Sequence, residues 1–393
     1  MKLKFAAIFF LFSILGMLGS FAQRPFITTW KPEGEVIVIP TIGLKYNYTI
    51  NIYDAKTNAL LETAEVKTQN YTSRNRYNQT VRVEIHTQPD GSGFPSICFN
   101  AAEYAKLITE INQWGDVKWE TMQFAFWGCC NMEGKASDVP NLEQALNLSH
   151  MFHGALLFNQ SINNWDVSAV TDMSYMFSGA SAFNQNLDSW NMSSVMNMEY
   201  MFNKATSFNQ DVSAWDVSAV SNMQCLFAYA EAFNNGEEGN GMQKPLLWGE
   251  KTAELLNAKG LFRNTKFNQD VSSWNVGKVI TMTAMFMSTP FNQNLNSWDV
   301  SSVTSMANMF HYAADYNNGD IACNDSIPME WGEKTAKLKD VSSMFLGAKS
   351  FNQDLNSWDI SSINNRSNMF VGAVAFKHDD RLPFMKKRQA LPR

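Results

Sequence analysis

Carboxylates are the residues in this sequence whose spacing could support chemistry. Asp166, Asp216, Asp299 and Asp359 each directly follow a tryptophan. Carboxylates that recur in this way could bind Ca²⁺ or act as an acid–base pair. These four occupy one position of a repeating unit, however, where a carboxylate commonly caps the backbone of a turn. We therefore interpret them as turn caps and predict no catalytic residue among them.

Histidines and cysteines do not form a recognisable site either. His150 and His153 have no carboxylate or cysteine recurring beside them at the spacing of metal ligands. The five cysteines are scattered and odd in number, so they do not suggest a disulfide framework. Cys129 stands where other units have a small residue, and we expect it to be a buried packing residue. A vicinal disulfide with Cys130 is the alternative. We expect no metal, no cofactor and no enzyme activity.

A unit of about 25 residues organises most of the chain. A fixed period of this length is typical of repeat proteins, in which each unit packs against its neighbours. One phenylalanine marks each unit, at Phe126, Phe152, Phe177, Phe202, Phe227, Phe262, Phe286, Phe310, Phe345 and Phe370. One unit alone cannot bury its Met, Phe and Trp side chains, whereas about ten stacked units can. At the spacing of parallel strands, the stack should be roughly 45–50 Å long.

Each position in the unit has a physical interpretation. A small residue follows the phenylalanine by three positions, which predicts close backbone approach at a tight corner. Leu-x-x-Trp-Asp-Val predicts a strand, Ser-x-Val a turn, and Met-x-x-Met-Phe a second short strand or a helical turn. The tryptophans are expected in the core, with a sugar-stacking surface as the alternative. A ladder of amides is predicted from the recurring asparagines Asn159, Asn184, Asn209, Asn234, Asn268, Asn292, Asn317 and Asn352.

The consensus M-F-x-x-A-x-x-F-N-Q-x-L-x-x-W-D-V-S-x-V-x-x-M resembles the BspA-like leucine-rich-repeat surface proteins of bacteria. This repeat variant was first described as a mycoplasma domain of unknown function, with units of about 25 residues. The resemblance covers about residues 104–376. It implies a right-handed, leucine-rich-repeat-like solenoid of short parallel β-strands with turns or short helices. It also implies a secreted or cell-surface location and a role in adhesion or recognition.

The remaining segments divide the chain into domains. Residues 1–22 combine a basic start, an apolar run and a Ser-Phe-Ala cleavage site, so we interpret them as a signal peptide. Residues 23–103 are predicted to form a small, mainly β module, with strands at 36–39, 46–52, 81–85 and 97–99. Residues 104–376 hold the predicted solenoid of about ten coils. Residues 377–393 form a basic C-terminal tail.

Two units are longer than the others and match each other. From Phe227 to Phe262 and from Phe310 to Phe345 the distance is 35 residues instead of about 25. Both insertions should emerge at one corner of the stack, roughly 14 Å apart, and such insertions often build a binding face. A neutral variant copied by duplication is the alternative. The candidate ligand residues on these loops are Asn235, Glu237, Glu238, Trp248, Asn318, Asp320, Asp325 and Trp331.

Composition and repeat together predict a secreted or surface-exposed, non-enzymatic recognition or adhesion protein that binds a protein or glycan through the solenoid surface. The net charge of −6 gives no reason to expect a nucleic acid partner. No segment after residue 22 is apolar for long enough to span a membrane. The alternatives are a structural or matrix scaffold without a discrete ligand and an accessory module that holds polysaccharide. Exposure of Trp248 and Trp331 would favour a binding protein, and their burial would favour a scaffold.

Overall fold

The computed structural model describes residues 23–43, 45–239, 242–320 and 328–377. The described residues are mostly β structure and turns, with a sheet domain at the N-terminus and few helices. None of the helices in these ranges is long and apolar enough to cross a membrane. The predicted signal peptide at 1–22 lies outside the described residues, as does the predicted tail beyond Lys377.

The N-terminal domain contains two sheets. Its strands are β1 (Phe26–Trp30), β2 (Glu35–Ile39), β3 (Tyr48–Asp54), β4 (Leu60–Val66), β5 (Tyr71–Tyr77), β6 (Val81–His86), β7 (Ile108–Gln113) and β8 (Glu133–Gly134), with a 3-10 helix at Glu103–Leu107. The larger sheet has the strand order β4-β3-β6-β1-β7-β8, and β2 pairs with β5 in the smaller one. All pairs are antiparallel except β7 with β8.

Alternating apolar residues explain why these strands form. In β6, Val81, Val83 and Ile85 are buried and the residues between them are not, because successive side chains of a strand point to opposite faces. The predicted strands at 36–39, 46–52 and 81–85 are confirmed by β2, β3 and β6. The prediction at 97–99 is wrong: this segment is irregular and buried.

The sheet continues beyond residue 103, where the sequence suggested that the repeats begin. Strand β7 pairs with β1, and β8 adds to β7 in parallel. Aromatic rings join the two parts: Phe26 stacks on Trp114 at 5.9 Å, and Trp114 meets Phe126 edge-on at 6.0 Å. One continuous apolar core therefore extends from the sheet into the first repeat units.

Successive repeat units stack through parallel backbone bridges, one residue wide. The bridged residues are Asn147, Asp172, Asn197, Asn222, Asn257, Thr281, Ser305, Asp340 and Asn365. After each bridge, alternate N–H groups bond to the next unit: Tyr175 donates to Glu199 O (2.8 Å) and Phe177 to Met201 O (2.8 Å). Each unit is thus hydrogen-bonded edge to edge with its neighbours.

Tight turns, and not strands, form most of each unit. The Met176 N–H bonds back to Met173 O at 3.2 Å, and Tyr175, the third residue of that turn, has a φ of 58°. A positive φ at this position is typical of a type II turn. The prediction of a second short strand or helical turn at Met-x-x-Met-Phe is therefore corrected to a turn with a left-handed residue.

Leu-x-x-Trp-Asp-Val was predicted as a strand and is also a turn. The Trp190 N–H bonds to Leu187 O at 3.2 Å, so the chain reverses before a strand could extend. The turn predicted at Ser-x-Val is confirmed, since the Val195 N–H bonds to Met192 O at 2.9 Å. The predicted turn cap is confirmed where Asp166 Oδ1 accepts the Ser168 N–H at 3.0 Å.

Stacked aromatic rings fill the interior of the repeats. Phe177 lies 5.4 Å from Phe202 of the next unit and 4.1 Å from Phe183 of its own, and all three are fully buried. Each such ring contributes roughly 1.5–3 kcal/mol by its burial. The predicted core position of the tryptophans is confirmed: Trp190 is buried and donates its Nε1–H to Ile162 O at 3.0 Å. Cys129 is buried and free, as expected of a packing residue.

Candidate ligand groove

An asparagine ladder runs along one side of the repeats. Asn184 Oδ1 accepts the backbone N–H of Asn209 in the next unit at 2.9 Å, and also the Nε2–H of Gln210 at 2.8 Å. The backbone bond recurs from Asn159 to Asn352, where the last acceptor receives the Lys377 N–H. The predicted amide ladder is confirmed, with backbone N–H groups as the main donors. Because the amide oxygens are used inside the ladder, it is the amide nitrogens of these side chains that can bond to groups outside it.

The two long units are anchored by matching buried asparagines. Asn235 Oδ1 accepts the Val212 N–H at 3.1 Å, and its Nδ2 donates to Lys244 O at 2.8 Å. Asn318 does the same in the second unit, accepting the Leu295 N–H at 3.0 Å. Both asparagines are fully buried. They close the bases of the two inserted loops and cannot reach a ligand from solution.

The tryptophans of the long units are also structural. Trp248 and Trp331 are each 1% exposed. Their Nε1–H groups donate to Val212 O (3.0 Å) and Leu295 O (2.9 Å). Short 3-10 helices at Gly249–Thr252 and Gly332–Thr335 follow them. By the criterion set from the sequence, the burial of both tryptophans counts in favour of a scaffold.

The acidic candidate residues Glu237 and Asp320 accept hydrogen bonds from asparagines of the ladder. The backbone oxygen of Glu237 accepts the Asn209 Nδ2–H at 2.8 Å, and its Oε2 accepts the Asn234 Nδ2–H at 3.1 Å. In the second loop, the backbone oxygen of buried Asp320 accepts the Asn317 Nδ2–H at 3.3 Å. The loops therefore satisfy the ladder amides beneath them.

The last two acidic candidates have a different status. Glu238 is exposed. Asp325 lies outside the described residues. Of the candidates that the structure describes, Glu238 is the one whose side chain faces solvent freely enough to meet a partner, and it lies at the edge of the first loop.

A groove lies between the two loops. It has a volume of about 600 Å³ and is walled by Gln243 and Pro245 on one side and Gly319 on the other. A smaller hollow of about 270 Å³ adjoins it and shares Gln243 with it. We call the two together the inter-loop groove. Its floor is formed by side chains of the two regular units between the loops: Asn268, Asp270, Asn292, Gln293 and Asn294.

The floor of the inter-loop groove is rich in side chains that can form hydrogen bonds. Four of its five side chains are amides, and Asp270 uses one carboxylate oxygen to cap the Ser272 N–H at 2.8 Å. None of the described residues that line it is aromatic. Such a surface suits a ligand that both donates and accepts hydrogen bonds.

Sequence reasoning placed both loops at one corner but missed the floor between them. Asn268 and Asn292 were recognised as ladder residues, not as site residues. Their position on the two units that separate the insertions is the signal that could have found them. No group of three or more His, Cys, Asp or Glu side chains arranged for a metal ion occurs in the part of the chain that the structure describes.

Comparison with known proteins gives one family. A model described as "Mycoplasma protein of unknown function, DUF285" matches residues 120–239, 248–329 and 321–384, more than half of the chain. The matched ranges contain the asparagine ladder, the second loop and the floor of the inter-loop groove, and residues 240–247 of the first loop fall outside them. Neither a curated protein nor a solved structure matches the sequence.

Proposed function

The chain belongs to the family described as Mycoplasma protein of unknown function, DUF285, and from that premise we propose that it is a recognition or adhesion protein without enzymatic activity. In this proposal it is secreted or held at the cell surface of a bacterium. Its repeats form a right-handed, leucine-rich-repeat-like solenoid of the BspA-like type. A glycan or protein ligand binds in the inter-loop groove.

The observation that carries the proposal is the pair of matched loops around one groove. Each loop is fixed at its base by a buried asparagine and a buried tryptophan. A loop held in this way loses little conformational freedom when a ligand binds, which favours affinity. In this proposal, the described parts of the two loops, which share their anchors, supply the walls of the binding site.

Further support comes from the surface of the repeats. Charged residues make up 17% of the chain, against about 25% in a typical soluble protein, and Asn, Ser and Gln take their place. A surface of this kind forms many short-range hydrogen bonds and exerts little long-range electrostatic steering. The signal-peptide prediction for residues 1–22 supports export.

A structural or matrix scaffold is the second candidate, and the burial of Trp248 and Trp331 favours it. In that case the inserted loops lengthen the unit and bind nothing. The third possibility named from the sequence, a module that holds polysaccharide for partner enzymes, uses the same groove as the main proposal and differs from it only in the partner present.

A binding screen separates these functions. Residues 23–393 are tested against glycan and extracellular-matrix arrays beside a variant in which both insertions are shortened to the length of a regular unit. Binding that is lost in the shortened variant supports the groove. Binding that persists moves the site to another face. Absence of binding by both proteins contradicts recognition of these ligand classes and supports the scaffold.

A further inference from the structure

The ladder leaves one amide nitrogen per unit to be satisfied, and the inserted loops satisfy those beneath them. Asn209 and Asn234 donate their Nδ2–H groups to Glu237 of the first loop at 2.8 and 3.1 Å. Asn317 donates to the backbone oxygen of Asp320 in the second loop at 3.3 Å. Each loop thus folds back over the asparagines of its own region.

Asn268 and Asn292 are the ladder residues that lie between the loops, and both line the inter-loop groove. Asn268 Oδ1 accepts the Asn292 N–H (2.8 Å) and the Gln293 Nε2–H (2.9 Å). Asn292 Oδ1 accepts the N–H groups of Asn317 (2.8 Å) and Gly319 (2.9 Å). With both oxygens held inside the ladder, the two amide nitrogens are oriented away from it. Neither donates to any group within the described ranges.

The two open donors are spaced by one repeat unit, which is about 4.8 Å for bridged parallel segments. Acceptors accompany them: the Gln293 Nε2–H groups are engaged with Asn268, which leaves its Oε1 without a donor among the described residues. Asp270, which uses one carboxylate oxygen to cap the Ser272 N–H, lines the same groove. Donors and acceptors that line one groove match hydroxyl groups, because each hydroxyl can donate one hydrogen bond and accept others.

We propose that Asn268 and Asn292 are the paired ligand contacts of the inter-loop groove and that the ligand is an uncharged oligosaccharide. This inference rests on the proposed function and names its site and its ligand class. Aromatic or large aliphatic side chains in the lining would favour a peptide, and the described residues that line the groove include neither. An acidic sugar would meet Asp270, while the nearby Lys244 Nζ is bound to Gly236 O at 2.7 Å.

The test replaces both asparagines by aspartate. In the double variant Asn268→Asp and Asn292→Asp, each side chain keeps an oxygen for the ladder and loses the amide donor that faces the groove. Asn184→Asp is the matched control, since Asn184 makes the same ladder bonds, is exposed and lies in a unit outside the groove. All variants are compared with the wild-type chain by calorimetric titration of uncharged oligosaccharides found on a glycan array. Thermal unfolding of each variant checks the fold.

Loss of affinity by about tenfold or more in the double variant, with wild-type affinity in Asn184→Asp, supports the inference. Equal affinity in the double variant and the wild type overturns it. If the loop-shortened variant has lost binding in the same experiment, the proposed function stands without this pair of contacts. Wild-type affinity in the loop-shortened variant contradicts the proposed groove itself. Binding of peptides instead of oligosaccharides by the wild-type chain overturns the sugar assignment.

Discussion

Two columns of side chains on the same repeats show different ways of using a repeated position. One is the asparagine ladder. The other we call the aromatic strip, and it consists of Phe124, Trp127, His150, His153, Tyr175 and Tyr200. Its rings stack from unit to unit, with His150 at 4.5 Å from Tyr175 and Tyr175 at 4.7 Å from Tyr200. The rings of the strip pack against one another, whereas each ladder amide oxygen accepts a backbone N–H and the amide nitrogens of Asn209, Asn234 and Asn317 bond to the inserted loops.

This difference indicates which repeated position is the better candidate for contacting a ligand. In a column of packed rings, much of each ring face lies against a neighbouring ring and is not open to a sugar. The inter-loop groove lies where two longer units leave regular ones between them. The groove thus depends on the difference in length between neighbouring units and not on the repeat alone.

Replacing the buried asparagines that anchor the two loops should have the largest effect on stability and on binding in the groove. Asn235→Ala leaves the buried Val212 N–H without an acceptor, and Asn318→Ala does the same to Leu295. We expect each to lower the free energy of unfolding by about 2–3 kcal/mol and to weaken binding in the groove. Urea denaturation measures the first effect and ligand titration the second. Glu238→Ala, on the exposed edge of the same loop, should stay within about 0.5 kcal/mol of wild type. Unchanged stability in both anchor variants would contradict the role given to these residues.

The aromatic strip should show a pH dependence that the groove lacks. Burial, with smaller effects of His150 and Lys204, lowers the pKa of His153 to about 4, and burial also lowers the pKa of His150. The unfolded chain therefore binds protons more readily, so stability should fall as the pH drops from about 6.5 towards 4 and then level off. With allowance for partial exposure, we expect a loss of about 1–2 kcal/mol.

The control for this prediction is the double variant His150→Phe and His153→Phe, which keeps the ring stacking and removes both titrating groups. The difference in unfolding free energy between wild type and variant, measured from pH 7 to pH 4, isolates the histidines from the carboxylates. Parallel curves for the two proteins would show that protonation of the strip does not destabilise the fold. Ligand affinity should be the same in both at pH 7.

The tryptophans of the long units should affect stability without affecting recognition. Trp248→Phe removes the Nε1–H bond to Val212 O and keeps a ring in the core. We expect a loss of about 1 kcal/mol in unfolding free energy, with ligand affinity unchanged. Trp190→Phe in a regular unit breaks the equivalent bond to Ile162 O and serves as the comparison. If Trp248→Phe alone abolished binding at unchanged stability, the tryptophan would be a ligand contact despite its burial.

The repeat and its ladder could be predicted because each unit places the same side chain in the same environment. The phenylalanine represented by Phe177 recurs in ten units and the asparagine represented by Asn184 in eight, so each position gives a strong signal. The number of units and the amide ladder follow from that signal. The shared corner of the two insertions followed from simple counting, and the structure finds both loops on one groove.

Other features depend on contacts in the folded chain that the spacing of residues in the sequence does not reveal. Short runs such as Leu187–Trp190 are too brief to separate a strand from a turn, and the backbone bond between these residues decides it. The N-terminal sheet brings Phe26 opposite Ile85, a pairing across most of the domain. Which ladder amides remain open depends on the inserted loops. Glu237 accepts the Nδ2–H of Asn234, whereas no described loop residue accepts one from Asn268 or Asn292.

The smallest expected effect concerns the charge of the groove floor. Asp270→Asn keeps an oxygen for the Ser272 N–H, so unfolding free energy should change by less than about 0.5 kcal/mol. An exposed carboxylate repels an anionic ligand by only a few tenths of a kcal/mol in water. The variant should therefore bind a carboxylated oligosaccharide about twofold to threefold more tightly than wild type at low salt, with no gain at high salt. Affinity for the matched uncharged oligosaccharide should change less. A gain of equal size for both sugars would mean that Asp270 acts through its hydrogen bonds and not its charge, and the groove would then select ligands by shape and hydroxyl position alone.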